Sequence, residues 1–168
     1  QPRRLTSWRS LKARQTQLTK IINEDIPHNS REIAAARAYG DLSENFEYKA
    51  AKDQQGLLLK RRGELELELS SMQGTDFAGA SLEVVEMGIG VQLRFEDGQT
   101  ELYYLLGEWD HDIELGIISS GSSLAQRLRG HRRGDKVLVP GKGESERSAV
   151  IQEILALPDP LRTWVRGE

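Results

Sequence analysis

Asp41 and Glu44 stand three residues apart in the run Tyr39-Gly40-Asp41-Leu42-Ser43-Glu44-Asn45-Phe46-Glu47-Tyr48. Carboxylates are hard oxygen ligands suited to Mg²⁺, and they can also orient or deprotonate a water. Two ligands cannot hold a metal alone, so a partner would have to supply the rest of such a site. The same residues have a second meaning. They take the form of a capping box, with Asp41 or Ser43 accepting a backbone N–H and Glu44 reaching back, and acidic groups suit the positive end of a helix dipole. On the residues alone both readings stand.

Other constellations are weak. The chain has no cysteine, which rules out a disulfide framework and a thiolate metal site. His28, His111 and His131 have no ligand spacing, and Asp110-His111-Asp112 has the composition of a solvated turn. There is no Gly-rich phosphate loop and no nucleophile elbow.

The elements that must position the acidic run are two helices. Residues 1–5 are basic and expected to fray. Thr6 or Ser7 is placed to cap a helix beginning near Trp8. Trp8, Leu11, Leu18, Ile22, Ile26, Ile33 and Ala36 follow helical spacings and describe one apolar stripe. Pro27 predicts a kink or short break near Asp25–Asn29, with Ser30 capping the resumed helix. The second helix is expected to start near Ser43 or Glu44. Ala51, Leu58, Leu65 and Met72 repeat every seven residues with Leu69 between, a coiled-coil seam. Gly56 and Gly63 weaken that helix, each by about 1 kcal/mol relative to alanine, so packing against the first helix must hold it. Gly40 is the only strong breaker between the two.

Beyond Gln73-Gly74-Thr75-Asp76 the period changes to two. Leu82, Val84 and Val85 begin the change, and Ile89, Val91, Leu93 and Phe95 alternate before the turn Asp97-Gly98. Residues 101–106 return as the partner strand. Ile117-Ile118, Lys136–Val139 and Ala149–Leu155 supply further strands, and residues 122–130 a short helix with a serine cap and a glycine stop. The expected fold is α+β: an antiparallel coiled-coil hairpin over 1–75, a small antiparallel sheet domain with one short helix over 76–157, and a tail over 158–168. Hydrophobic residues make up 38% and charged residues 29%, which suits a long solvated helical part better than one compact core. Residues 1–75 hold 13 Lys/Arg against 10 Asp/Glu and the remainder 10 against 16, so the two modules should make different contacts. No stretch approaches a membrane span and no signal-peptide core is visible; the expectation is a cytoplasmic protein without membrane contact.

Ala38-Tyr39-Gly40-Asp41-Leu42-Ser43-Glu44-Asn45-Phe46-Glu47-Tyr48-Lys49-Ala50-Ala51-Lys52-Asp53-Gln54-Gln55 resembles the tip signature of the bacterial Gre transcript-cleavage factors, the GreA/GreB family. Leu106-Gly107-Glu108, Ile117-Ile118-Ser119, Ser123-Leu124-Ala125, Gly130 and Gly134-Asp135 match the order of that family's C-terminal domain. The resemblance covers about residues 8–157. It implies a hairpin inserted through the secondary channel of RNA polymerase and an FKBP-like sheet domain docked at the channel entrance. It also implies that Asp41 and Glu44 help to hold the second Mg²⁺ and a water at the polymerase's own active site, which then hydrolyses a backtracked transcript near its 3′ end. The factor would be an accessory to catalysis, a monomer with no cofactor of its own. Asn45 and Tyr48 match motif positions that could orient the tip or touch the RNA end. Arg37, Lys49 and Lys52 lie close enough to hold extruded RNA through its phosphates, though scattered basic groups also simply solvate a helix. Lys60-Arg61-Arg62 is farther away and lines the channel or is solvated.

Departures from the family pattern are few. Phe46 is large where relatives commonly have a small residue, which bears on how the tip packs or stacks on a base. Ser122-Ser123-Leu124 lacks a proline often found there. Pro27 and the sequence before it differ from a short bacterial Gre start, and with Gln1 first the chain looks like the C-terminal part of a longer protein. Three other functions compete. A Gre-like regulator could occupy the same channel without promoting cleavage, though it could dispense with Asp41 and Glu44. A chaperone or prolyl isomerase would need an aromatic-lined pocket, and Tyr103 and Tyr104, adjacent on one strand, face opposite sides. A purely structural coiled-coil adaptor would be indifferent to loss of the tip carboxylates.

Overall fold

The computed structural model describes residues 4–41 and 44–168, which form two compact units. One comprises Lys12–Met72. The other joins the described residues up to Leu11 to Gln73–Glu168.

The Lys12–Met72 unit is the expected hairpin. Helix α1 spans Trp8–Lys20, α2 Ile26–Arg37 and α3 Phe46–Ser70. No break separates α1 from α2. Instead Ile21–Asp25 forms a π-helical turn in which the Ile26 N–H reaches back to the Ile21 carbonyl. Pro27, at the start of α2, has no N–H to donate, and its ring would crowd the carbonyl four residues back in a regular helix. The wider turn absorbs that conflict. Ser30 therefore lies inside a continuous helix and caps nothing. Ile21 in the π-helical turn and Ile33 and Ala36 on α2 are buried on the first arm of the hairpin, and Ala51 and Leu65 on α3. Leu58 and Leu69 are half-buried between them, so the heptad seam of the sequence is the seam of the structure. Asn29 was missed as a seam residue: it is buried and donates its amide to the Ala51 carbonyl at 2.9 Å. Arg14 pairs with Glu68 across the helices, and the Arg61 guanidinium reaches Gln17 at 3.2 Å.

The second unit is α+β, built on a five-stranded sheet: β3 Ile89–Phe95, β4 Thr100–Leu105, β5 Ile117–Ile118, β6 Lys136–Pro140 and β7 Glu146–Ala156, in the order β5-β4-β3-β7-β6. The sheet is mixed rather than purely antiparallel, because β5 runs parallel to β4 with Tyr104 opposite Ile117. The eleven residues between them reverse direction once more than a hairpin does, around Gly116 (φ 73°). Residues 82–85 form no strand. A bulge in β7 places Gln92 opposite Glu153 but Leu93 opposite Ile151. Val91, Leu93 and Phe95 pack with Ile151, Ala149, Val137 and Val139 against Ala125 and Leu128 of α4, Ser123–Leu128.

Two terminal expectations are overturned. Residues 158–168 are not a tail: α5, Asp159–Arg166, buries Leu161 and Val165 against Leu106, Ile117 and Leu157. Pro160 sits in its first turn, where a missing N–H costs nothing, and Gly167 closes it in a left-handed conformation. Of the stretch 1–5 expected to fray, 1–3 lie outside the described residues, and residues 4 and 5 join 6 and 7 in regular structure. They form β1 (Arg4–Ser7), paired with β2 (Met72–Thr75). Residues 4–10 also bond to the loop 107–110. Glu108 N–H donates to the Leu5 carbonyl at 2.9 Å, and Arg4 grips both Glu108 carboxylate oxygens at 2.6 and 2.9 Å.

Asp110 is the centre of this junction and no solvated turn. It is fully buried. Its carboxylate accepts from the Ser7 N–H at 2.9 Å, the Ser7 hydroxyl at 2.6 Å, the Ser10 hydroxyl at 2.5 Å and the Gly107 N–H at 2.8 Å. A buried carboxylate persists when its lone pairs are this fully used. Ser7 meanwhile caps α1 through the Ser10 N–H at 3.1 Å. Gly107 has no substitute here, since a Cβ on it would lie 2.3 Å from the Thr6 Cα.

Candidate functional site at the hairpin tip

The tip is the turn between α2 and α3. α2 ends through tightened backbone bonds, with Tyr39 N–H to the Ala36 carbonyl at 3.2 Å and Gly40 N–H to the Arg37 carbonyl at 3.4 Å. Gly40 then takes φ 110°, a conformation that side-chain-bearing residues avoid. Asn45 starts α3. Its Oδ1 accepts the Tyr48 N–H at 3.0 Å, the standard N-cap bond. Its Nδ2 donates to the Ala36 carbonyl at 2.7 Å. One side chain thus satisfies an orphan donor at the start of α3 and adds a second bond to the Ala36 carbonyl, which already accepts the Tyr39 N–H near the end of α2.

This corrects the capping-box expectation. The cap is Asn45, and the third position of α3 is Tyr48, so Glu44 precedes the cap and cannot complete a box. Ser43, the other suggested cap, lies outside the described residues, as does Leu42. Asp41 and Glu44 are both exposed in the turn. Glu47 occupies the first turn of α3, where a negative charge meets the positive end of the helix.

The remaining candidates are spread along the two helices. Arg37, the last residue of α2, places its guanidinium 5.8 Å from the centre of the half-buried Tyr48 ring, a cation–π contact between the helix ends. Lys49 and Lys52 are exposed on α3, and the Lys52 ammonium donates to Gln55 at 2.8 Å. In the Lys60-Arg61-Arg62 run, Arg62 pairs with Glu66 at 2.8 Å and Arg61 with Glu64 at 3.5 Å. Arg61 and Arg62 are thus engaged within the hairpin itself. Phe46 and Tyr39 are 83% and 74% exposed and flank a depression also lined by Glu44, Asn45 and Glu47. Among the described residues no group of three or more His, Cys, Asp and Glu is placed to hold a metal ion, and no helix is long and apolar enough to cross a membrane.

A helical hairpin that ends in a braced, exposed acidic turn, carried by a chain with a separate α+β sheet unit, defines a class: a factor that presents carboxylates at the end of a coiled coil. The family follows from comparison with known proteins. Residues 5–73 match the family model described as transcription elongation factor, N-terminal, and residues 80–155 match that for transcription elongation factor, GreA/GreB, C-terminal. A Trichlorobacter lovleyi protein named transcription elongation factor GreA is 36% identical over 85% of this chain and 91% of its own length. A Borreliella burgdorferi protein of the same name is 38% identical over 79% of this chain, and the match spans only 15% of that longer protein. A solved GreA/GreB structure from Nitrosomonas europaea has 26% identity and a TM-score of 0.41, covering 56% of this chain and 78% of that one. The chain belongs to the GreA/GreB family of transcription elongation factors.

Proposed function

We propose that this chain delivers Asp41 and Glu44 through the secondary channel of RNA polymerase and stimulates the polymerase's own Mg²⁺-dependent cleavage of backtracked transcripts, acting in the cytoplasm as an accessory without an active site of its own. The observation that carries the reading is the cap. Because Asn45 closes α3, both carboxylates stay exposed between two helix ends. They suit a hard cation by donor type but are too few to hold one, so the polymerase would supply the remaining ligands. Such an ion would supply charge stabilisation for phosphodiester hydrolysis at the polymerase's active site. Asp41 and Glu44 would complete its oxygen shell and orient the water. Asn45 and Tyr48 act as positioning residues, since the polar atoms of Asn45 are committed to Tyr48 and Ala36. Arg37, Lys49 and Lys52 supply positive charge for the extruded RNA.

The test is transcript cleavage in stalled, backtracked elongation complexes from the cognate polymerase. Wild type should accelerate cleavage, and an Asp41→Asn/Glu44→Gln variant that still binds should not. Binding by both without acceleration by either would mean a channel-occupying regulator and sink the cleavage reading. A prolyl isomerase gains no support: Tyr103 packs against the main sheet core and Tyr104 against the α5 cluster, so the two tyrosines line no common pocket.

A further inference from the structure

We infer that Tyr39 and Phe46 form a stacking dish for the unpaired base at the transcript's 3′ end, and that this dish gives the factor a preference for purine ends. The inference rests on the tip entering the polymerase as proposed above. Tyr39 lies two residues beyond α2 and Phe46 is the first residue of α3, so each aromatic stands at a helix end that the Asn45 amide fixes. Each is largely exposed, 74% and 83%. An exposed ring gains nothing from folding, and two that share the walls of one depression make a binding surface rather than scattered apolar residues.

The choice of occupant follows from what else is there. Glu44 lines the same depression as the two rings, so a base stacked between them would sit beside a carboxylate proposed to act at the adjoining phosphate. Glu44 and Glu47 would repel a phosphate placed in the dish itself, but a neutral base meets no such penalty. Lys49 lies three residues along α3 from Phe46, on the same face, and Arg37 closes the end of α2; both are exposed and can take the backbone charge. Stacking of unpaired bases on aromatic side chains, with cations beside the chain, is the usual way single strands are held. Larger bases offer more area, hence the purine preference.

The experiment uses backtracked elongation complexes whose transcript ends in 2-aminopurine, adenine, uracil or an abasic residue. Fluorescence is read with the cleavage-deficient Asp41→Asn/Glu44→Gln chain, and cleavage with the chain otherwise wild type. Each is compared with Phe46→Ala, Tyr39→Ala and Phe46→Trp in the same background. The dish predicts quenching of 2-aminopurine that Phe46→Ala and Tyr39→Ala abolish and Phe46→Trp retains. It also predicts loss of cleavage stimulation by roughly five- to a hundredfold on adenine ends, as removal of one base–aromatic stack does, and little change on abasic ends. Unchanged, base-independent cleavage with no quenching overturns the dish and leaves the cleavage reading intact. Quenching that depends on the rings in a chain that never stimulates cleavage keeps the dish and overturns the cleavage reading. A loss of binding equal for every 3′ residue would mean the rings touch protein, and the dish is then wrong.

Discussion

The Asn45 side chain bridges the two helices of the hairpin: its amide nitrogen lies 2.7 Å from the Ala36 carbonyl while its oxygen caps Tyr48. Asn45→Ala should cost about 1–2 kcal/mol through the lost cap alone. It should also lower stimulated cleavage by roughly ten- to a hundredfold, the usual penalty for misplacing groups near a reaction, although Asp41 and Glu44 remain. Asn45→Asp keeps the cap and loses the donor to Ala36. It should recover most of the stability and little of the activity. Thermal unfolding and the cleavage assay, run together, separate the two contributions.

Asp110 is expected to be the most sensitive polar position in the sheet unit. Asp110→Ala would leave buried donors from Ser7 and Gly107 without an acceptor, a loss of about 3 kcal/mol or more. Urea denaturation of the full chain measures it. A change under 1 kcal/mol would contradict the role given to this carboxylate.

Gly56 and Gly63 point the other way. A Cβ on either meets nothing within 4 Å, so neither glycine is required by packing. Replacing either with alanine should stabilise α3 by about 1 kcal/mol, seen as slower amide exchange along the hairpin. If tip function falls as the helix stiffens, flexibility at these points is being used.

Tyr103 predicts an alkaline limb. Partial burial and its 2.8 Å bond to Glu101 push its hydroxyl up to about 12 from the ordinary 10. An acid whose folded value is raised contributes stability that is fully present below pH 10, where both states are protonated. That contribution is lost as pH rises towards 12, because the unfolded chain ionises first. Stability of the wild type should therefore fall more steeply between pH 10 and 12 than that of Tyr103→Phe. Parallel denaturation curves for the two proteins would refute it.

At the acidic end, Arg4 holds Glu108 below the usual carboxylate range. The folded value is depressed, so the pair contributes above the ordinary glutamate range and the contribution is lost as pH falls through the lower folded value. Both side chains are more than a third exposed, and an exposed pair contributes under about 1 kcal/mol. Glu108→Gln should cause a correspondingly small loss near neutral pH that vanishes in acid. Chemical denaturation at the two pH values would show whether it does.

What was legible in the chain was everything that repeats or punctuates. The seven-residue spacing of Ala51, Leu58 and Leu65, the break at Gly40 and the alternation from Ile89 to Phe95 each reflect a local backbone period, and a period needs no knowledge of the partner. The acidic run was legible as a motif, though which of its residues caps α3 was not. The cap itself is a local bond from Tyr48 to Asn45; only the tertiary structure showed that the same side chain also reaches a carbonyl nine residues away, on the other helix. The same holds for Asp110, whose partners Ser7 and Ser10 lie a hundred or more residues distant, and for α5, whose Leu161 and Val165 look like tail residues until Leu106 and Ile117 are packed beneath them. A side chain's period is written beside it in the chain. The partner that satisfies a buried polar group, or covers a short apolar pair, is supplied by the fold.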